Sequence, residues 1–330
     1  GAWIDSIPMI VISGQVETKD MISKSKTRQI GIQEANTLDI IKPITKYCKV
    51  LKKNSNIELE LTNAIKVAIE GRPGPVWIDI PLDVQSQKFS KKKVIFKKLK
   101  NKYSYSIDDK KIYKALELIN QSRRPLILVG NGVHINKSEK KFLSFLHKTN
   151  IPFLSTWNAS DIVASKHNLY FGRPGLFGNR IANFAIQSCD LLIIIGSRLS
   201  VPITGYQIKN FSPLSKKIYV EIDNKEIIKR NLKISLTFNN DLGLFLKNIN
   251  KKIKKSLYPK KRWLKNLKSL KSYLDEDNKY KKKKNSVNSF RFISDLSEIM
   301  KGKESIVTDM GTSFTCTMQS FKTKQNQRLF

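Results

Sequence analysis

Residues 71–85 read Gly71-Arg72-Pro73-Gly74-Pro75-Val76-Trp77-Ile78-Asp79-Ile80-Pro81-Leu82-Asp83-Val84-Gln85. A turn rich in glycine and proline feeds a short apolar run, Val76 to Ile80, which ends at another proline. A run of that length between breakers reads as a buried strand with a stiffened loop at each end. Upstream, Leu59, Leu61, Ala64, Ile65, Val67, Ala68 and Ile69 form a broad apolar helical face, and Gly71 stands where a helix stops. Helix, glycine stop, turn and buried strand make one half of a βαβ-type layer. The fold class expected from it is α/β.

The rest of the chain repeats the theme. Residues 1–16 pass from a helix end into an apolar strand, Met9 to Ile12, with Gly14 opening a loop. Residues 89–106 are thick with lysine and lack a clear amphipathic period, as expected of a linker. Ile107 to Asn120 reads as a helix with Ile112, Ala115, Leu116 and Ile119 on one side. The strand Leu126 to Val129 follows Arg124-Pro125 and closes on Gly130-Asn131-Gly132. Ile151 to Trp157 is a further strand, Gly172 to Gly178 a loop, and Arg180 to Gln187 a helix. Leu191 to Gly196 is the plainest buried strand and runs into Ser197-Arg198, while Lys217 to Asp223 is a strand ending in an acid. Strands alternating with helices imply doubly wound parallel sheets. In the basic stretch 251–287, Trp263, Leu264, Leu267, Leu270 and Leu274 give a helix with one apolar stripe, so it docks. A last helix over Val287 to Met300 precedes the strand Ser305 to Asp309.

Glycines at the carboxyl end of a strand let backbone approach a ligand, often a diphosphate, though Gly130-Asn131-Gly132 is no GxGxxG. An arginine after a neighbouring strand neutralises a diphosphate, and an acid at a strand end accepts from ribose hydroxyls. Arg198 and Asp223 thus fit a dinucleotide site, a vestigial one, or plain anchors of local turns.

Composition narrows the class. At 40% hydrophobic and 9% aromatic residues, the chain has the make-up of a globular protein. No apolar run approaches the roughly 20 residues that cross a bilayer. Three cysteines without CxxC spacing argue against a zinc site or disulfide framework and fit a reducing cytoplasm, and the three histidines lack metal-ligand spacing. The net charge of +34 raises nucleic-acid or polyanion binding, but only 11 of the 61 basic residues are arginine. Bidentate base and phosphate recognition favours arginine, and no nucleic-acid motif accompanies the charge, so specific nucleic-acid binding is not expected.

The string 71–85 closely resembles the end of the pyrimidine-binding domain in thiamine diphosphate enzymes of the acetolactate synthase (acetohydroxyacid synthase) group. Residues 1–16 are similar to that family's passage just after its thiamine-site glycine motif. Gln33-Glu34 and Thr45-Lys46 match pairs that border the family's active-site entrance, with Ile32 where a phenylalanine often stands. Gln33 is therefore the candidate border residue, and the alternative for Gln33 and Glu34 is a helix-start pair satisfying free backbone donors. Residues 107–250 resemble the family's Rossmann-like central domain, which holds FAD in a mostly structural role. That resemblance puts Arg72, Gly130, Gly132, Arg198 and Asp223 near the flavin. Flavin-bearing members typically carry an acidic pair after the arginine, whereas this chain has Leu199 to Tyr206, which leaves FAD open.

Residues 288–330 resemble the start of the diphosphate-binding domain, whose loop, here Gly311, Thr312 and Ser313, touches thiamine diphosphate. The resemblance implies a division into 1–88 (C-terminal part of the pyrimidine-binding domain), 89–106 (linker), 107–250 (central domain), 251–287 (basic connection) and 288–330. It places the catalytic glutamate before Gly1 and the motif for Mg²⁺ after Phe330, so the chain is expected to be a fragment without turnover of its own. The implied reaction decarboxylates a 2-keto acid, pyruvate, and joins the two-carbon unit to a second keto acid, as in branched-chain amino-acid biosynthesis. A cytoplasmic homodimer or homotetramer with no membrane contact is implied as well. Leu82, where acetolactate synthases commonly carry lysine, keeps open a thiamine enzyme of another substrate class, such as surface-sugar synthesis.

Overall fold

The computed structural model describes residues 1–22, 27–88, 106–229, 231–253, 261–274 and 286–330. The lysine-rich stretches 89–105, 254–260 and 275–285, expected as parts of two connections, lie outside the described residues. The chain forms two compact units, Gly1–Tyr103 and Ser104–Phe330.

The first unit is a three-stranded parallel sheet of β1 (Ile10–Gln15), β2 (Tyr47–Val50) and β3 (Val76–Pro81), in the order β1-β3-β2. The strand expected from 76–80 is thus the central one. Helix α1 (Ile57–Ile69) begins at Asn56, whose side chain accepts from Leu59 N–H, and stops before Gly71 at φ +63°. It packs Ala64 and Ala68 against Leu51, Val76 and Ile78. The expected apolar face is wider than this contact: Leu59, Ile65 and Ile69 remain exposed. β1 starts one residue later than expected and runs through Gly14, because parallel pairing with β3 continues from Ile10↔Val76 to Gln15↔Pro81. β2 is a strand that periodicity alone did not reveal. It is four residues long and half-buried, too short to show an alternation.

The second unit is built on five parallel strands: β4 (Pro125–Val129), β5 (Phe153–Ser155), β6 (Leu191–Ile195), β7 (Lys216–Val220) and β8 (Leu236–Phe238), ordered β5-β4-β6-β7-β8. Alternate residues of each strand serve opposite faces. Ile127, Val129, Ile193, Ile195, Ile218 and Val220 join one core with α2 (Asp109–Gln121), α3 (Glu139–Thr149) and α5 (Leu242–Lys252). Leu126, Leu128, Leu192, Ile194 and Tyr219 join the other with α4 (Arg180–Ser188) and α6 (Lys261–Tyr273). Burial on both faces explains why β4 and β6 are continuous apolar runs, and it makes the sheet doubly wound. Helix α2 buries Ile112, Ala115, Leu116 and Ile119, the four residues its period selected. The basic helix α6 docks through Trp263 and Leu267 as its stripe required.

Three expected strands are shorter in the structure, among them that over Ser305 to Asp309, of which only Ser305–Ile306 pairs with a neighbour. β5 spans three residues, because a 3₁₀ turn at Trp157–Ala159 takes the chain away. β7 ends at Val220, three residues before Asp223. The same compact unit also holds α7 (Ser289–Ile299), β9 (Ser305–Ile306), α8 (Thr312–Ser320) and β10 (Arg328–Leu329). Strands β9 and β10 pair in parallel, and a small core of Met318, Phe321 and Leu329 lies between the helices.

Candidate functional site

The chain turns from β4 to β5 on one side and then to β6 on the other, so the strand order reverses between β4 and β6. Ligands of open α/β sheets sit outside the carboxyl ends of strands at such a reversal. Gly130 and Gly132 follow β4 there, and Gly196, Ser197 and Arg198 follow β6. These two turns are in direct contact. Gly130 N–H donates to Ile195 O (2.8 Å) and Gly132 N–H to Gly196 O (3.0 Å). A Cβ on Gly130 would stand 2.2 Å from Gly196 O, and one on Gly132 would stand 2.8 Å from Gly196 Cα. The missing side chains therefore serve close backbone packing, and both N–H groups are engaged within the fold. Tyr219 Oη donates to Ser197 O (2.6 Å) beneath the turn, and the buried Leu199 takes a left-handed φ of +50°. Arg198 is carried half-exposed between these two fixed points.

Asp223 lies beyond the next strand, β7. Its carboxylate accepts from Lys225 N–H (3.0 Å) and caps the short helix Asn224–Ile228. The structure thus brings Gly130, Gly132 and Arg198 to one reversal point and sets Asp223 at the neighbouring strand's exit as a helix cap. Arg72 lies in the first unit, where its Nε donates to Ser6 Oγ (2.9 Å). Gln33 is exposed with φ +62°. Beside it, the Glu34 carboxylate accepts from the backbone N–H groups of Ile22, Ile30 and Gly31. Burial pushes the Glu34 carboxyl up, and these three donors outweigh it, so its pKa is lowered overall. That is the donor-satisfying role weighed for this pair, performed in a loop and not at a helix start.

The expected loop is mostly helix: Gly311 is the residue before α8, and Thr312 and Ser313 are its first two residues, all three exposed. Gly311 has φ +84° with nothing within 4 Å of the place a Cβ would take. Ser313 Oγ donates to the carbonyls of Asp309 (3.0 Å) and Met310 (3.1 Å), which fixes the turn. The next residue, Phe314, sets its ring edge-on to Trp157 at 5.0 Å, and Trp157 also lies 6.3 Å from Phe177.

A charged cluster gave no signal in the sequence. His134, one residue past the Gly130–Val133 turn, places Nδ1 2.8 Å from Glu139 Oε1 and Nε2 2.7 Å from Asp161 Oδ1. The Asp161 side chain is fully buried and also accepts from Arg328 Nε (2.8 Å) and Leu329 N–H (3.0 Å). Burial pulls the His134 pKa down, but the hydrogen bonds and charge of Asp161 and Glu139 outweigh it and raise the imidazole overall. Burial likewise pushes Asp161 up, and His134, Leu329 N–H and Arg328 bring it below the ordinary carboxylate value. Two carboxylates facing both ring nitrogens suit an imidazolium that donates twice. No periodicity announces this set, because its members come from four separate segments. Among the described residues, no group of three or more His, Cys, Asp or Glu is placed to hold a metal ion. The three cysteines are free thiols.

The family model "Thiamine pyrophosphate enzyme, central domain" matches residues 112–249, which span α2 to α5. The probable acetolactate synthase large subunit of Methanocaldococcus jannaschii is 32% identical, over 98% of this chain and 55% of its own length. The acetolactate synthase isozyme 1 large subunit of Escherichia coli is 34% identical over 69% of this chain and 39% of its own. The acetolactate synthase large subunit of Corynebacterium glutamicum is 33% identical over 69% of this chain and 36% of its own. At most, then, the chain spans about half the length of these curated relatives.

Proposed function

The chain belongs to the acetolactate synthase large-subunit family of thiamine pyrophosphate enzymes, and on that premise we propose that its protein is a thiamine diphosphate-dependent carboligase. The reaction decarboxylates a 2-keto acid, pyruvate, and joins the two-carbon unit to a second keto acid. The observation that carries this reading is similarity to an acetolactate synthase large subunit over 98% of the chain, through both compact units.

Thiamine diphosphate, when bound, supplies the carbanion chemistry, and the protein supplies position and field. In this chain Gly311, Thr312 and Ser313 would meet that cofactor. The start of α8 suits such a contact, since Gly311 leaves open space beside its backbone and the Ser313 hydroxyl holds the turn through the carbonyls of Asp309 and Met310. Mg²⁺ would require hard oxygen ligands.

FAD is proposed at the carboxyl ends of β6 and β7, with Arg198 and Asp223 as the side chains that meet it. Gly130 and Gly132 would contribute close packing of the turn beneath it. For the first unit, Arg72 is proposed as a flavin contact and Gln33 as a border residue of the active site. The proposed assembly is a cytoplasmic homodimer or homotetramer acting on small 2-keto acids. No helix among the described residues is long and apolar enough to cross a membrane.

The test uses the protein in its complete natural form with pyruvate, thiamine diphosphate and Mg²⁺. Release of CO₂ with formation of acetolactate is the expected result, and absence of pyruvate decarboxylation would overturn the proposal. A flavin absorbance band in the purified protein decides the FAD assignment separately.

A further inference from the structure

Near the carboxyl ends of β1 and β3, the side chain of Asp79 is buried, with 1% of the residue exposed. Ser13, its Cα partner across the parallel pair, donates from Oγ to Asp79 Oδ1 at 2.8 Å. Trp77 Nε1 donates in turn to that Ser13 hydroxyl at 2.6 Å. Asp79 Oδ2 accepts from Gln15 Nε2 at 3.1 Å. A buried carboxylate is costly to leave unsatisfied, so it keeps these donors in place.

Gln15 uses both ends of its amide. Nε2 also donates to Ala35 O at 3.0 Å, and Oε1 accepts from Val16 N–H at 3.0 Å. A carboxamide carries two N–H donors, and here each has its own acceptor. The Gln15 side chain is therefore fixed from the sheet side, and Ala35 is held by it. Thr37 N–H donates to the same Ala35 carbonyl at 2.8 Å. A Cβ on Gly31 would stand 2.8 Å from Val16 Cγ1, so the returning arm of the loop lies against the residue after Gln15. Glu34 joins the two arms of the loop to each other through Ile22, Ile30 and Gly31, whereas Gln15 joins the returning arm to the sheet. Between Gly31 and Ala35 stands Gln33, exposed, with a left-handed φ of +62°. A residue other than glycine persists in that region where its surroundings hold it.

We propose that Gln15, gripped by Asp79, is a positioning residue for the active site: it fixes Ala35 and so sets where the Gln33 side chain stands. The proposal rests on the reading of Gln33 as a border residue of that site. Gln15 acts through the loop and touches neither substrate nor cofactor.

The test measures pyruvate turnover by the complete protein in four variants: Gln15→Ala, Gln15→Glu, Gln33→Asn and Gln15→Ala/Gln33→Asn. Asparagine tolerates the left-handed backbone and draws the Gln33 amide back by one carbon. Gln15→Ala should lower kcat/KM about three- to tenfold, the range of one hydrogen bond. The loss should fall on KM with kcat kept, as for a group that orders an entrance. Gln15→Glu has the same size but offers Ala35 O no donor and sets a second carboxylate beside Asp79, so it should lose at least as much. If Gln15 acts through Gln33, the double variant should be no worse than the more damaging single one. Hydrogen exchange at Thr37 N–H, which needs no turnover, should quicken about three- to tenfold in Gln15→Ala. Gln15 is half-buried, and its variants should keep the wild-type melting temperature.

Unchanged kinetics in Gln15→Ala beside impaired Gln33→Asn would overturn the proposal and leave the border reading standing. Losses that add in the double variant, or unchanged exchange at Thr37, would overturn it too. A lowered melting temperature in both Gln15 variants would make the effect one of folding and would also overturn it. Unimpaired Gln33→Asn would instead defeat the border reading, and the proposal would fall with it. A wild-type protein without pyruvate turnover would defeat the carboligase reading before any variant is compared, and the proposal would fall with that reading.

Discussion

Arg328 Nε meets Asp161 Oδ2 at 2.8 Å, joining positions 167 residues apart in the chain. The same carboxylate faces His134 through its other oxygen. One buried aspartate thus holds the segment after α8 against the turn that follows β4.

This junction should respond to pH in a defined window. His134 is raised above its ordinary value of 6.5, so its contribution is complete below that value and is lost as pH rises through the raised pKa. Asp161 is lowered beneath its ordinary 3.8, so its contribution is complete above that value and is lost as pH falls through the lowered pKa. The tether should therefore be tightest between these limits. Hydrogen exchange at Leu329 N–H, corrected for the intrinsic pH dependence of exchange, should slow within that window and speed up on the alkaline side. His134→Gln should abolish the alkaline change.

Asp161→Ala should be among the most damaging polar substitutions. It would leave the imidazole and the Leu329 N–H without their acceptor, at a cost of about 3 kcal/mol. Denaturant melts would measure this, and Asp161→Asn should recover part of it by keeping an acceptor oxygen.

Gly130→Ala tests the contact between the two turns. The new Cβ would stand 2.2 Å from a backbone oxygen, so β4 and β6 must separate at their carboxyl ends. A loss of about 1–3 kcal/mol is expected, as for overpacked cores. Gly205→Ala is the control, since a Cβ there meets nothing within 4 Å, and it should carry only the strain of a φ of +71°.

Asp223 separates structural from cofactor roles. As the cap of Asn224–Ile228, its change to alanine should cost about 0.5–2 kcal/mol, and Asn should replace it with little loss. Melting curves read the cap. Flavin absorbance of the purified variants reads any ligand role, which the cap does not require.

Burying Tyr219 Oη against Ser197 O sets a further expectation. Tyr219→Phe would leave that carbonyl unpaired in the interior and should lower stability by about 1–2 kcal/mol, measured by chemical denaturation.

Sequence alone determined the elements whose physics is local. The run Val76 to Ile80, the four-residue stripe of α2 and the docking stripe of α6 each carry their burial pattern in their own spacing. They appear in the structure where that spacing put them. Strand ends were less legible. β5 and β7 stop early because hydrogen-bond partners on neighbouring strands decide where a ladder ends, and those partners lie tens of residues away. For the same reason Asp223 reads as a strand-terminal acid in one dimension and stands as a helix cap in three. Only the tertiary structure could bring together His134, Asp161 and Arg328, or seat Arg173 beneath the carbonyls of Met318 and Phe321. Charges on separate loops leave no period in a sequence. Their interaction is a matter of distance through space, and only packing of the whole unit sets that distance.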